Sequence, residues 1–201
     1  MVKKIAKIIL NHFAKLRIKR MATLVGEGQL FYHTAKISHR DGATKENIVL
    51  MDHCWPLGHI SVEGKGTVVM HPYSRIFGTT ELLCVNRIEI GRNSTISQHT
   101  IVCDNNNHPV SPTFRDLMGK TPMNHPSRLW KHSSSAPIII GENCWIGTHA
   151  RICKGVTIGN NSIVAANSVV TKDVPANCIA AGNPAKIVKT DIDKIYTEYP
   201  Y

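Results

Sequence analysis

Residues 140–175 read IGENCW IGTHAR ICKGVT IGNNSI VAANSV VTKDVP, a run of six consecutive hexapeptides. Each hexapeptide opens with an aliphatic residue; these are Ile140, Ile146, Ile152, Ile158, Val164 and Val170. Four places later in every step comes a small or β-branched residue, at Cys144, Ala150, Val156, Ser162, Ser168 and Val174. An α-helix would repeat at about 3.6 residues and a half-buried strand at about 2. A period of six therefore predicts a chain that turns a corner every six residues and points one aliphatic side chain inward on each flat face.

This period predicts a prism whose three walls are parallel sheets. Three flat faces close one coil of about 18 residues, and stacked coils bury the aliphatic residues in a continuous column. Glycine and asparagine suit the corners, where tight packing or a positive φ is needed. They recur at Gly141, Gly147, Gly159, Asn143, Asn160, Asn161 and Asn167. The predicted fold class is all-β, a parallel β-helix.

The repeat covers most of the chain and is interrupted once. Between residues 28 and 89 it is degenerate, with predicted inward positions at Ile37, Ile48, Ile60, Val69, Ile76 and Leu82. It becomes regular at Ile90, breaks at Cys103 and resumes at Ile138. We predict one repeat domain over residues 23–189, a protruding loop over 103–136 and a C-terminal tail over 190–201. A loop of that length inside a compact domain is usually functional or disordered.

Residues 1–22 predict a basic amphipathic N-terminal helix. Apolar residues recur there at helical spacing, at Ile5, Ile8, Ile9, Phe13 and Leu16. The polar face is basic, with Lys3, Lys4, Lys7, Lys15, Arg17, Lys19 and Arg20. Two interpretations stay open. The apolar face packs on the prism or a neighbouring subunit, or the helix binds peripherally to a membrane surface.

Composition and charge limit the classes of partner. The chain has 201 residues, 42% of them hydrophobic, and a formal net charge of +10, which favours an anionic partner. Nucleic acid is not expected, because no nucleic-acid-binding motif is present and aromatic residues make up only 6%. The six cysteines show no zinc-binding spacing, so we expect reduced core residues and no metal. Without a convincing signal peptide or a long apolar run, the expected location is the cytoplasm, with a peripheral membrane position as an option.

Two short motifs in and after the loop narrow the interpretation. The loop opens with DNNNHPV, in which His108 precedes Pro109, and the next coil carries Trp145-Ile146-Gly147. Between about residues 88 and 189 the sequence resembles the hexapeptide-repeat O-acetyltransferases that act on galactosides, maltose and capsular polysaccharides. That resemblance implies a left-handed β-helix, a homotrimer with active sites between subunits, acetyl-CoA as co-substrate and a saccharide or related hydroxylated acceptor.

The resemblance also implies roles for individual residues. His108 would be the general base that takes the proton of the attacking hydroxyl, and the backbone N–H of Thr148 would stabilise the oxyanion. Trp145 would line the acetyl and pantetheine region. The coenzyme contacts carried over to this chain are Trp145, Thr148, Ala166, Thr171, Lys172, Lys186 and Lys189. The family often has arginines at the last two positions, where lysine retains the charge and loses the bidentate geometry.

Several alternatives remain at this stage. Cys103, five residues before His108, raises a covalent Cys–His mechanism, which the resemblance disfavours. Trp130 in the loop either stacks on an acceptor sugar or packs within the loop or trimer. The competing functions are N-acetylation of an amino sugar, a metal site similar to that of γ-type carbonic anhydrases, and a non-catalytic prism used for assembly.

Overall fold

The computed structural model describes residues 2–195, and for the first helix it describes side chains from Ile9 onward. The helices are α1 (Val2–Met21) and α2 (Pro112–Gly119), with short 3-10 turns at Lys45–Asn47, Pro126–Arg128, Trp130–His132 and Ile192–Lys194. The strands are β1 (Thr23–Leu24), β2 (Lys36–Arg40), β3 (Ile48–Leu50), β4 (Trp55–Pro56), β5 (His59–Glu63), β6 (Thr67–Met70), β7 (Arg75–Ile76), β8 (Glu81–Cys84), β9 (Arg87–Ile90), β10 (Thr95–Ile96), β11 (Ile101–Cys103), β12 (Ile138–Ile140), β13 (Trp145–Ile146), β14 (Arg151–Cys153), β15 (Thr157–Ile158), β16 (Ile163–Val164), β17 (Val169–Val170), β18 (Ile179–Gly182) and β19 (Ala185–Lys189). Residues 196–201 of the predicted tail lie outside the described residues.

The strands form three sheets, and from β2 to β17 each successive strand joins the next wall of the prism. Wall 1 has the order β1-β3-β6-β9-β12-β15, wall 2 has β4-β7-β10-β13-β16-β18-β19, and wall 3 has β2-β5-β8-β11-β14-β17. Named strand pairs are parallel except β18 and β19, which are antiparallel. This is a parallel β-helix, as the period of six predicts.

The core is a column of stacked aliphatic side chains. On wall 2, Ile96 pairs with Ile146, Ile146 with Val164, and Val164 with Ala180, and all four side chains are buried. The six aliphatic positions and the six small positions of the hexapeptides are all buried. Each fully buried aliphatic side chain contributes about 1.5–3 kcal/mol to the free energy of unfolding.

Asparagine side chains form a ladder along one corner. Asn93, Asn143, Asn161 and Asn177 all have positive φ, between 54° and 60°. Each amide donates to the next in the series, at 3.0, 3.1 and 2.9 Å. Asparagine tolerates this left-handed conformation better than most residues. Asn160 lacks the positive φ; its side-chain oxygen instead accepts the N–H of Glu142 at 2.9 Å.

One predicted inward position in the early coils is wrong. Val69 is only half-buried, and its neighbours Val68 and Met70 point into the core. Ile48 pairs with Val68 and Val68 with Ile88, a repeat of 20 residues, whereas Ile140 pairs with Ile158 after 18. The longer coils have longer strands, in which every second residue points inward. That alternation obscures the period of six before residue 90.

The helix α1 packs on the prism through a face other than the predicted one. Ala14 and Ile18 are buried, and the Arg17 guanidinium donates to the Ala35 carbonyl. In contrast, large apolar side chains on the far side are 45–61% exposed; these are Ile9, Phe13 and Leu16. The interpretation that this apolar face packs on the chain's own prism is therefore wrong, because Ala14 and Ile18 occupy the contact.

The loop leaves the prism after β11 and returns at β12, so it replaces one corner between wall 3 and wall 1. Its second half lies against the early coils. The Trp130 ring is buried, with the Arg40 guanidinium 4.6 Å from its centroid. The Lys131 N–H donates to the buried Glu63 carboxylate at 3.0 Å. Trp130 therefore packs the loop onto the prism, and the interpretation that it stacks on a sugar has no support in this chain.

Candidate active site

The neck of the loop is pinned by the Asp104 carboxylate. This buried group accepts the backbone N–H of Val85 at 2.9 Å and that of Asn86 at 2.8 Å. The two ends of the loop also bond to each other, since the Ala136 N–H donates to the Asp104 carbonyl at 3.0 Å. The chain therefore enters and leaves the loop at one fixed place.

His108 follows this neck on a tight turn. The Asn107 N–H donates to the Asn105 side-chain oxygen at 2.7 Å, and Asn107 has a φ of 65°. The His108 N–H donates to the Asn106 carbonyl at 2.7 Å, while Pro109 is buried. These contacts fix the backbone on both sides of His108 and leave its imidazole exposed.

The His108 imidazole lines an open cavity of about 240 Å³. The other lining residues are Arg115, Met118, Gly119 and Arg128, all from the loop. Helix α2 supplies the first three of these four, and it begins after Ser111, whose hydroxyl accepts the Phe114 N–H at 3.3 Å. A solvent-accessible imidazole beside a cavity has the access that a general base needs.

Trp145 and Thr148 lie on and beside wall 2. The Trp145 ring is 55% exposed on the outside of the prism, and its indole N–H donates to the Ser97 hydroxyl at 3.3 Å. Thr148 is exposed on the following corner. Its carbonyl accepts the Asn167 N–H at 2.9 Å, but its own N–H donates to no acceptor within residues 2–195. A backbone N–H without an acceptor has the chemistry of an oxyanion donor.

Most of the predicted coenzyme residues continue from this corner toward the C-terminal end of the prism, but Thr171 and Lys172 follow β17 at the corner between wall 3 and wall 1. Ala166 lies one coil beyond Thr148, and its backbone nitrogen is 2.6 Å from where a Cβ on Gly147 would lie, so only glycine fits there. Thr171 and Lys172 are exposed just after β17. Lys186 and Lys189 are exposed on β19, and the pairing Trp145, Ile163, Ile179, Lys189 puts the tryptophan and the last lysine on one row of wall 2.

A single chain does not assemble these two groups of residues into one site. The cavity beside His108 contains none of the predicted coenzyme residues. Trp145, Thr148, Ala166 and Lys189 lie together on wall 2 and its corner, whereas His108 lies on the loop that replaces a different corner. Within one chain, the cavity beside His108 and the predicted coenzyme residues on wall 2 are therefore separate features of the surface.

Cys103 is poorly placed to act as a nucleophile. Its side chain is 2% exposed, and its sulfur is 3.1 Å from the Asn105 carbonyl oxygen. Burial raises the pKa of the Cys103 thiol, which disfavours the reactive thiolate. The structure therefore opposes the covalent Cys–His alternative.

A pair of histidines beside Thr148 was not predicted. The rings of His99 and His149 are 4.7 Å apart, and both residues have a φ of 59°. Each is the fourth residue of its hexapeptide, in ISQHTI and IGTHAR, so an alignment of the hexapeptides across the loop could have paired them. The described residues contain no cluster of three or more His, Cys, Asp or Glu side chains arranged to hold a metal ion.

Comparison with known families agrees with this architecture. A family model described as the hexapeptide repeat of succinyl-transferase matches residues 137–172. The matched residues cover most of the regular hexapeptides after the loop. It is 38% identical over 119 residues to the galactoside O-acetyltransferase of Escherichia coli K12, a match that spans 55% of this chain and 59% of that protein. The chain thus covers less than two thirds of this acetyltransferase relative.

Solved structures share the fold of this protein. The polySia-specific acetyltransferase NeuO aligns with a TM-score of 0.61 and 22% identity, over 90% of this chain and 84% of that one. AntD, an N-acyltransferase from Bacillus cereus in complex with dTDP and 3-hydroxybutyryl-CoA, aligns with a TM-score of 0.64 and 22% identity, over 88% and 86%. The predicted left-handed parallel β-helix is confirmed.

Proposed function

We propose that this protein is an acetyl-CoA-dependent O-acetyltransferase that acts on a saccharide or a related hydroxylated acceptor. The observation that carries the proposal is the placement of His108, exposed on a pinned turn at the rim of a cavity. The acceptor oxygen attacks the thioester carbonyl while its proton passes to the His108 imidazole. The Thr148 N–H stabilises the oxyanion, and the departing coenzyme A sulfur takes the proton from His108 as the acetyl ester forms.

We propose a homotrimer for this reaction, as the resemblance implies. The separation of His108 from Trp145, Thr148 and Ala166 within one chain supports this proposal. In a closed ring, the loop of one copy can lie against wall 2 of the next, and each contact then creates one complete site. Analytical ultracentrifugation of the full chain measures the oligomeric state directly, and a monomer with full activity would contradict the shared site.

Calorimetric titration with acetyl-CoA tests the proposed activity without knowledge of the acceptor. We expect saturable binding that becomes about ten- to thirtyfold weaker in a Lys186→Ala/Lys189→Ala double variant, because two exposed charge contacts to phosphate contribute about 1 kcal/mol each. Lys45→Ala is the matched control, since Lys45 is an exposed lysine in the early coils at the other end of the prism. Absence of binding by the folded protein would reject the acetyltransferase.

Product analysis decides between transfer to oxygen and transfer to nitrogen. The fold likeness to the N-acyltransferase AntD is the observation that favours an amino-sugar acceptor as the second candidate. The same imidazole would take a proton from either nucleophile. An acetyl product that hydroxylamine or mild alkali removes is an ester and supports O-acetylation, whereas a resistant product is an amide.

We also propose that helix α1 binds the surface of an anionic membrane. Its exposed residues Ile9, Phe13 and Leu16 fall within an arc of about 60° at 100° per residue, roughly opposite the buried Ala14 and Ile18. The helix contains seven lysine and arginine residues and neither aspartate nor glutamate. An apolar face flanked by positive charge suits an anionic bilayer surface and disfavours the same helix of a second copy. Within residues 2–195, no helix combines the length and apolar composition needed to cross a bilayer.

Flotation with vesicles of phosphatidylcholine and phosphatidylglycerol tests this placement. We expect Phe13→Asp/Leu16→Asp to lower the bound fraction at least tenfold, because the variant places two carboxylates on the face that would enter the bilayer. Both positions are exposed, so the prism keeps its packing. Leu117→Asp, at an exposed leucine on α2, is the control. If the unaltered protein does not float, the membrane proposal is wrong; a changed oligomeric state in the double variant would instead assign this face to a contact between copies.

A further inference from the structure

Two arginines share the cavity with His108. Arg128 is committed to the fold of the loop, since its Nε donates to the Pro122 carbonyl and one Nη to the Thr121 carbonyl, both at 2.9 Å. Arg115 has a single bond, from Nη1 to the Val110 carbonyl. In the described part of the chain, its Nε and its other Nη donate to no acceptor. Arg115 is therefore an exposed guanidinium at the cavity with donors to spare.

No carboxylate balances this positive charge. Residues 104–136 contain two acidic residues, Asp104 and Asp116. Asp104 is buried at the neck, and Asp116 pairs with the Lys120 ammonium at 2.6 Å. Neither cavity arginine forms an ion pair within residues 2–195. Guanidinium groups present a planar fork that matches carboxylate and phosphate oxygens, so the missing partner has the chemistry of an anion.

We infer that the acceptor is an anionic saccharide, whose carboxylate or phosphate binds Arg115 while one of its hydroxyls lies at His108. This inference rests on the proposed acetyltransferase and names the class of its acceptor. Arg128 holds the floor of the cavity and adds positive charge to it. The substrate therefore carries its charge close to the acetylated hydroxyl, within one cavity of about 240 Å³.

The phosphates of the coenzyme are the competing source of an anion, and the geometry opposes them. The thioester has to reach His108, and the pantetheine arm separates the thioester from the phosphates by many bonds. A guanidinium that lines the same small cavity as His108 is too close to the base to bind those phosphates. Replacement of Arg115 is therefore expected to leave the affinity for acetyl-CoA as it is.

Three sugars with the same ring configuration test the inference: galactose, galacturonate and galactose 1-phosphate. Calorimetry or saturation-transfer NMR measures their binding to the full protein in the absence of acetyl-CoA. We expect at least one of the anionic sugars to bind ten- to a hundredfold more tightly than galactose, and 0.5 M salt to weaken that preference. The comparison of galacturonate with galactose 1-phosphate distinguishes a carboxylate acceptor from a phosphate one.

Arg115→Gln is expected to reduce the preference for the anionic sugar at least tenfold. Lys120→Gln is the matched control, because it removes one positive charge from the same loop without lining the cavity. Equal affinity for all three sugars, absence of binding by both anions, or a preference that survives Arg115→Gln would overturn the inference. The proposed function fails separately. Binding of an anionic sugar without acetyl transfer would reject the proposed acetyltransferase and keep the anion site. Acetylation of galactose without a preference for the anionic sugars would keep the acetyltransferase and reject the anion site.

Discussion

Replacement of His108 by alanine is expected to lower kcat for acetyl transfer by about 10²–10⁴-fold, the usual contribution of a positioned general base. A neutral hydroxyl is a poor nucleophile, and the variant leaves no imidazole at the cavity rim to take its proton. The affinity for acetyl-CoA should stay close to that of the unaltered protein, because the predicted coenzyme contacts do not include His108. Steady-state kinetics together with calorimetry measure both quantities.

His33→Ala is the matched control for this variant. His33 is an exposed histidine in the early coils, and its backbone N–H, not its ring, bonds to the Asn11 side chain. The control should keep its full kcat and its thermal unfolding midpoint. A His108→Ala protein that acetylates the acceptor at the unaltered rate would show that the proton leaves by another route.

Replacement of Asp104 by alanine is expected to lower the free energy of unfolding by about 3–5 kcal/mol. The carboxylate accepts the N–H groups of Val85 and Asn86, and each hydrogen bond to a charged group contributes about 1.5–3 kcal/mol to stability. For a chain of this size, the unfolding midpoint should fall by about 10 °C. Differential scanning calorimetry of the full chain provides the measurement.

Two further variants separate this role from a general effect of charge. Asp104→Asn keeps an oxygen acceptor in place and should lose less stability than the alanine variant. Asp116→Ala removes a carboxylate whose only described ion pair is the exposed one with Lys120, so the free energy of unfolding should change by less than about 1 kcal/mol. If Asp104→Ala unfolds at the unaltered temperature, the neck of the loop is held by its backbone bonds alone.

The regular coils were predictable because their signal is local. Ile146 and Ile158 each occupy the first position of a hexapeptide, and that position predicts that their side chains are buried. Val69 was misassigned because the early coils have 20 residues, and there a strand alternation of two competes with the period of six. The interruption at Cys103 was also visible, since the aliphatic step stops there and a polar segment follows.

The orientation of helix α1 illustrates the limit of such local patterns. The spacing of Ile9, Phe13 and Leu16 indicates an apolar stripe, but a helical period does not identify the surface that packs against the stripe. The prism selects Ala14 and Ile18 for its contact, because small and aliphatic side chains allow close packing, and the larger stripe stays exposed. Trp130 shows the converse: an aromatic residue in a polar loop suggested a binding surface, and packing against Arg40 buried it.

The sequence by itself determined the β-helix and the position of the loop, and it predicts His108 as the base, since each of these depends on a repeat or a motif a few residues long. Only the tertiary structure decided that His108 shares its cavity with Arg115 and Arg128, and that Trp145 and Thr148 lie away from it. The physical reason is that the cavity depends on how α2 and the turn at Pro126–Arg128 fold back toward the neck held by Asp104. Contacts of that kind join residues far apart in the chain, and no local period records them.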